Sequence, residues 1–156
     1  MLTAAVIAYA AAMTLANLLV SSFGRAVVPY NAFFLIGFDL AMRDWLHVRL
    51  RPWQMGALIV ASGALTYLLS PSAAQIAVAS AVAFAVAALA DWAVFAVARG
   101  SWQTRANLSN VAGAAADSLV FPYLAGFGLG VSLGMFAAKV AGGAVWAYVL
   151  RKRALA

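Results

Sequence analysis

The chain has 156 residues, 67% of them hydrophobic and 9% charged, and its ten Lys and Arg outweigh four acids for a net charge of +6. That composition excludes an ordinary soluble domain, where about 25% of residues are charged; it predicts an all-α polytopic membrane protein, a helix bundle with room for about six spans of ~20 residues in one domain. The absence of cysteine and the single histidine, His47, exclude disulfides, cysteine nucleophiles and zincin-type metal sites, so neither metal nor cofactor is expected.

Residues 3–22 form the first expected span. Ala4, Ala8, Ala12 and Ala16 make a ridge of small residues that lets another backbone approach, and Thr14, Asn17 and Ser21 share a second, polar face. No basic stretch precedes this apolar run, which therefore reads as a retained helix and not as a cleaved signal. Residues 28–47 form the second span, entered at Pro29. Asn31, Leu35, Asp39 and Arg43 recur every four residues on one face, whereas Asp44, next to Arg43, points elsewhere. A short third span, residues 54–70, ends at Ser70-Pro71-Ser72.

The fourth span, residues 73–98, repeats the small ridge as Ala79, Ala83 and Ala87, with Asp91 following in the same spacing. A basic loop from Arg99 to Arg105 leads to the fifth span, residues 106–126, where Asn110, Gly113, Asp117 and Phe121 lie on one face. Glycines 126, 128 and 130 demand a tight turn. The sixth span, residues 130–150, carries Gly134, Ala138 and Gly142 as a third ridge with Lys139 beside it. The ridges predict packing seams, and secondarily a homodimer surface.

With six spans, Arg49, Arg51, Arg99, Arg105, Arg151, Lys152 and Arg153 fall on one side and Arg25 alone on the other, which predicts cytoplasmic termini in the inner membrane. The positive charge thus suits anionic lipid, and no nucleic-acid partner is expected. Counting from the nearest cytoplasmic arginine at ~1.5 Å per residue, Asp91, Asp39, Asp117 and Lys139 all lie ~12–18 Å deep, in one slab near the midplane of a ~30 Å core. Ionisable groups at that depth mark substrate or ion pathways. Asp117 with Lys139, and Asp39 with Arg43, are the expected ion pairs, and Arg43 and Asp44 are the expected gating or ion-pair residues. Three carboxylates against one ammonium give the slab a negative sum, which would favour a cationic ligand. Asp91, left without a basic partner, is the expected reader of the substrate, with Asn17, Asn110, Trp92 and Phe121 as further contacts.

Four segments resemble the vitamin uptake transporter family, better known as queuosine-precursor transporters: FDLAMRD (38–44), ALADWAVF (88–95), SNVAGAAADSLVF (109–121) and FAAK (136–139). The resemblance runs in matching order from Asn17 onward and covers Asp39, Arg43, Asp91, Ser109, Asn110, Asp117, Ser118 and Lys139. It implies uptake of a small deazapurine: 7-cyano-7-deazaguanine, its aminomethyl analogue or queuine. Two other readings stay open. One is a substrate-binding subunit of an energy-coupling-factor transporter, docking through the first alanine ridge; the other is a non-transporting structural membrane protein. No nucleophile–base pair or metal cluster points to an enzyme.

Overall fold

A computed structural model describes residues 2–47 and 49–154. It is all-α, with 91% of residues helical and no strand among those described. Helix α1 (Leu2–Phe23) ends where Gly24 adopts φ +63°, a conformation open to glycine without a Cβ penalty. After a 3₁₀ turn (Gly24–Val27) the chain runs back as one rod made of α2 (Val28–Asn31), a π turn (Ala32–Ile36) and α3 (Gly37–His47). The two rods lie antiparallel: Asn31 Nδ2 donates to the Ala16 carbonyl at 3.1 Å, and Tyr9 packs with Met42 and Leu46 at the other end.

Helix α4 (Pro52–Leu69) opens with proline in its first turn, and the Gln54 side chain accepts the Arg51 N–H at 2.8 Å. Contacts from Thr14 to the Ser62 carbonyl and from Asn17 to Thr66, both at 3.5 Å, set it beside α1. A 3₁₀ turn (Pro71–Ala73) leads into α5 (Ala74–Val97). Helix α6 (Trp102–Leu124) begins earlier than the expected residue 106, because Ser101 caps it by accepting the Thr104 N–H at 3.2 Å. α5 and α6 form an antiparallel hairpin, with Gln75 of one donating to the Leu124 carbonyl of the other. After Gly126 and Gly128, both at positive φ, and a 3₁₀ turn (Leu129–Val131), α7 (Ser132–Ala154) completes the described chain.

Among the described residues three stretches are long and apolar enough to cross a membrane, Leu2–Arg43, Pro71–Val97 and Leu129–Leu150, with Trp53–Leu69 a shorter apolar helix. The outer face is apolar: Leu68, Val97 and Leu133 are more than three-quarters exposed, at 76%, 78% and 80%. In water such a surface would aggregate; against lipid it costs nothing.

Small residues set how closely the rods approach. Ala79, Ala83 and Ala87 are buried, and a Cβ at Gly113 would stand 3.2 Å from the Ala87 carbonyl. Gly142 of α7 lies directly against the Phe33 backbone, and a Cβ at Gly37 would meet the Gly142 backbone at 2.6 Å. Trp146 closes this seam, donating from Nε1 to the Phe34 carbonyl at 2.9 Å and meeting Phe38 edge to face. Much of each ridge is therefore spent inside the chain; Ala4, Ala8 and Gly134 remain exposed.

Candidate functional site

Where the first hairpin, the α5–α6 hairpin and α7 converge, the helices leave a cavity of about 40 Å³, room for about three waters at ~10–15 Å³ each. Its polar wall comprises Asn17, Asn31, Asp39, Arg43, Ser80, Asp117 and Lys139. Apolar surface comes from Met13, Val20, Ile36, Phe84, Phe121 and Met135, and the small side of the cavity from Ala16, Ala87, Gly113 and Ala114.

Each polar group has a local reason to be there. Asp39 and Arg43 are one helical turn apart, and Arg43 Nη2 donates to Asp39 Oδ2 at 2.6 Å. The guanidinium carbon also lies over the Phe84 ring, 3.9 Å from its centroid, so α5 helps hold an ion pair made within α3. Asp39 is only 2% exposed, and its second oxygen, Oδ1, has no partner among the described residues. Tyr9 is fully buried beside this pair, without a hydrogen bond of good geometry from its hydroxyl.

Lys139, likewise 2% exposed, is brought by α7 into an ion pair with Asp117 of α6 and also senses the charges of Asp39 and Arg43. Two ion pairs therefore meet across the cavity. Asn31 adds an acceptor. Its amide nitrogen must face the Ala16 carbonyl, which can only accept, so Oδ1 is turned the other way and has no partner.

Of the residues expected from sequence, Asn17, Asp39, Arg43, Asp117, Phe121 and Lys139 line this one cavity. Three others stand away from its wall. Asp91 is half-buried between α5 and α6, its Cβ facing Gly113, with Oδ1 buried and unpartnered. Trp92 is 71% exposed, and Asn110 is exposed as well. The Asp44 side chain lies outside the described residues. The negative slab is thereby redrawn: the cavity gains Arg43 and loses Asp91.

Asn31, Phe84 and Ser80 are the polar and aromatic cavity residues that the sequence-derived set lacked. Asn31 had a signal, since it shares the Asp39 face of the rod. Phe84 had none, because its contact with Arg43 joins two helices far apart in the chain. Trp92→Leu is expected to change ligand affinity by less than twofold, whereas Phe84→Leu, which removes the plane under Arg43, should weaken it about tenfold, on a loss of ~1–2 kcal/mol; titration calorimetry on both variants checks the contrast.

A family model described as "Putative vitamin uptake transporter" matches residues 3–152. Comparison with curated proteins and with solved structures returned no match. With residues 3–152 of 156 matched, the chain belongs to the vitamin uptake transporter family.

Proposed function

We propose that this protein is a carrier that brings a queuosine precursor (7-cyano-7-deazaguanine, its aminomethyl analogue or queuine) across the inner membrane through the cavity described above. The observation that carries the reading is the meeting of two ion pairs, Asp39–Arg43 and Lys139–Asp117, at one cavity among otherwise apolar helices. Charge is placed in the hydrocarbon region where it faces a ligand or ion path, and carriers bind near the midplane. In this reading the chain crosses the membrane six times with both termini cytoplasmic, so the cavity falls near mid-depth. It works by binding and alternating exposure, not by bond chemistry.

A deazaguanine is larger than the roughly three waters this form of the cavity holds, so the helices must part to admit it, but its polar edges suit the groups available. Its N1–H and 2-amino group lie side by side and suit a carboxylate, here Asp39. Its O6 takes a donor, from Asn17 or Lys139. The ring stacks on Phe121, which lines the cavity. The site is then read by Asp39 and the asparagines, with Asp117–Lys139 bracing it. A homodimer or a docking partner would have to use Ala4, Ala8 and Gly134, the ridge residues left exposed.

Purified protein reconstituted alone into vesicles should accumulate labelled 7-cyano-7-deazaguanine. Ligand at 100 times Kd should also raise folding stability by ~2.7 kcal/mol in a thermal-shift assay. No shift with any deazaguanine overturns the substrate; uptake only after adding an ATPase module moves the protein to the energy-coupling-factor reading. A reporter active only outside the cytoplasm, fused after Ala156, should stay silent, and activity there would overturn the six-span topology.

A further inference from the structure

We infer that the cavity selects an uncharged, donor-rich heterocycle and rejects the cationic members of its substrate class. The inference rests on the uptake reading above and narrows it. Its basis is the redrawn set of charges: among the described residues that line the cavity, two carboxylates, Asp39 and Asp117, are each engaged by one cation, Arg43 and Lys139. A carboxylate–cation pair that shares one proton sums to zero whether that proton sits on the base or on the acid, so the neutrality does not depend on which partner holds it. An ammonium entering such a cavity loses its hydration and finds no carboxylate uncommitted; it must compete with Arg43 or Lys139 for an anion each already holds.

The wall also offers a ligand two acceptors. Asp39 Oδ1 and Asn31 Oδ1 are buried, accept no hydrogen bond of good geometry even with the Tyr9 hydroxyl beside Asp39, and belong to residues at least nine-tenths buried on the cavity wall. Buried acceptors are satisfied by water or by ligand, and a ligand that displaces water without replacing its N–H groups loses affinity. The two residues stand on one rod eight positions apart, separated by roughly 12 Å of helix rise. A ligand serving both therefore carries N–H groups at two separated edges. A guanine-like base does so without a formal charge: its N1–H and 2-amino group lie on one edge and its pyrrole N–H on another. An added ammonium supplies further donors, but with a charge that a wall of zero net charge does not compensate once its hydration is lost.

The test compares two compounds that share the ring: neutral 7-cyano-7-deazaguanine and cationic 7-aminomethyl-7-deazaguanine, titrated against the full chain in detergent. The neutral compound should bind at least tenfold more tightly. Lys139→Gln leaves one carboxylate in excess and should shift the ratio toward the cation by tenfold or more. Asp117→Asn combined with Lys139→Gln restores neutrality and should restore the preference, and so keeps the test decisive if the single variant does not fold. Asp91→Asn, which alters a carboxylate away from the wall, should leave the ratio unchanged. Equal affinities, a preference for the cation in the wild type, or a ratio that follows Asp91 would overturn the inference while the uptake reading stands. Binding of neither compound would overturn the uptake reading itself.

Discussion

Lys139→Met should lower the stability of the detergent-solubilised protein by about 3–5 kcal/mol, the cost of removing one partner from a buried ion pair. Lys139 is 2% exposed and the Asp117 side chain 20%, so water can do little to compensate the carboxylate left behind. The loss is a large share of a typical ~5–15 kcal/mol total. On the scaling for chains of this size it corresponds to a drop in Tm of roughly 10 °C. Asp117→Leu combined with Lys139→Met should recover most of it, because removing both charges abolishes the desolvation penalty together with the attraction. The double-mutant cycle measured by thermal unfolding decides the matter. A mild single variant with no recovery in the double would mean that the pair does not hold α6 against α7.

Gly142→Ala should be the most damaging addition of a single methyl group to the chain. The new Cβ would run into the Phe33 carbonyl and the backbone carbon behind it. A side chain in that position would swing aside; a helix backbone cannot, so the two rods must separate. Overpacking typically costs ~1–3 kcal/mol, and a backbone obstacle places this substitution at the upper end, about 3 kcal/mol. Separation would also move Lys139, one turn away, from the cavity, so ligand binding should fall along with Tm. Gly134→Ala is the control on the same helix and ridge. A Cβ there meets nothing within 4 Å, and the better helix propensity of alanine should leave stability unchanged or up to ~1 kcal/mol higher. Equal behaviour of the two variants would show that the α3–α7 seam is looser than described.

Several features were legible in the sequence because they are local. The all-α class follows from composition, and the Asp39–Arg43 pair from i, i+4 spacing within one helix. The Lys139–Asp117 pair was legible at one remove, since counting along two helices from their basic ends gives both groups the same depth. What depth counting omits is rotation about the helix axis. Residues spaced by four on a helix of 3.6 residues per turn drift by roughly 40° at each step. Ala79, Ala83 and Ala87 accordingly stay buried, while Asp91, three steps on from Ala79, is only half-buried, held against Gly113 in the α5–α6 seam but not on the cavity wall, and Trp92 turns farther toward the exterior.

The same drift should have separated Asn31 from Asp39 on the second rod, yet both line the cavity. The π turn between them, Ala32–Ile36, carries more residues per turn and takes back part of the rotation. No residue in AFFLI announces such a turn. It occurs in the segment that packs against α7, where Gly142 lies on the Phe33 backbone and Trp146 donates to the Phe34 carbonyl. The sequence by itself therefore determined the solvent this protein needs, which of its residues are expensive to bury there, and the pairs formed within one helix or at one depth. The tertiary structure alone decided which way each helix faces. That choice brings Arg43 to the cavity and leaves Asp91 outside it, and so sets the cavity's net charge, because rotation about a helix axis is fixed by contacts with neighbouring helices and not by the spacing within one.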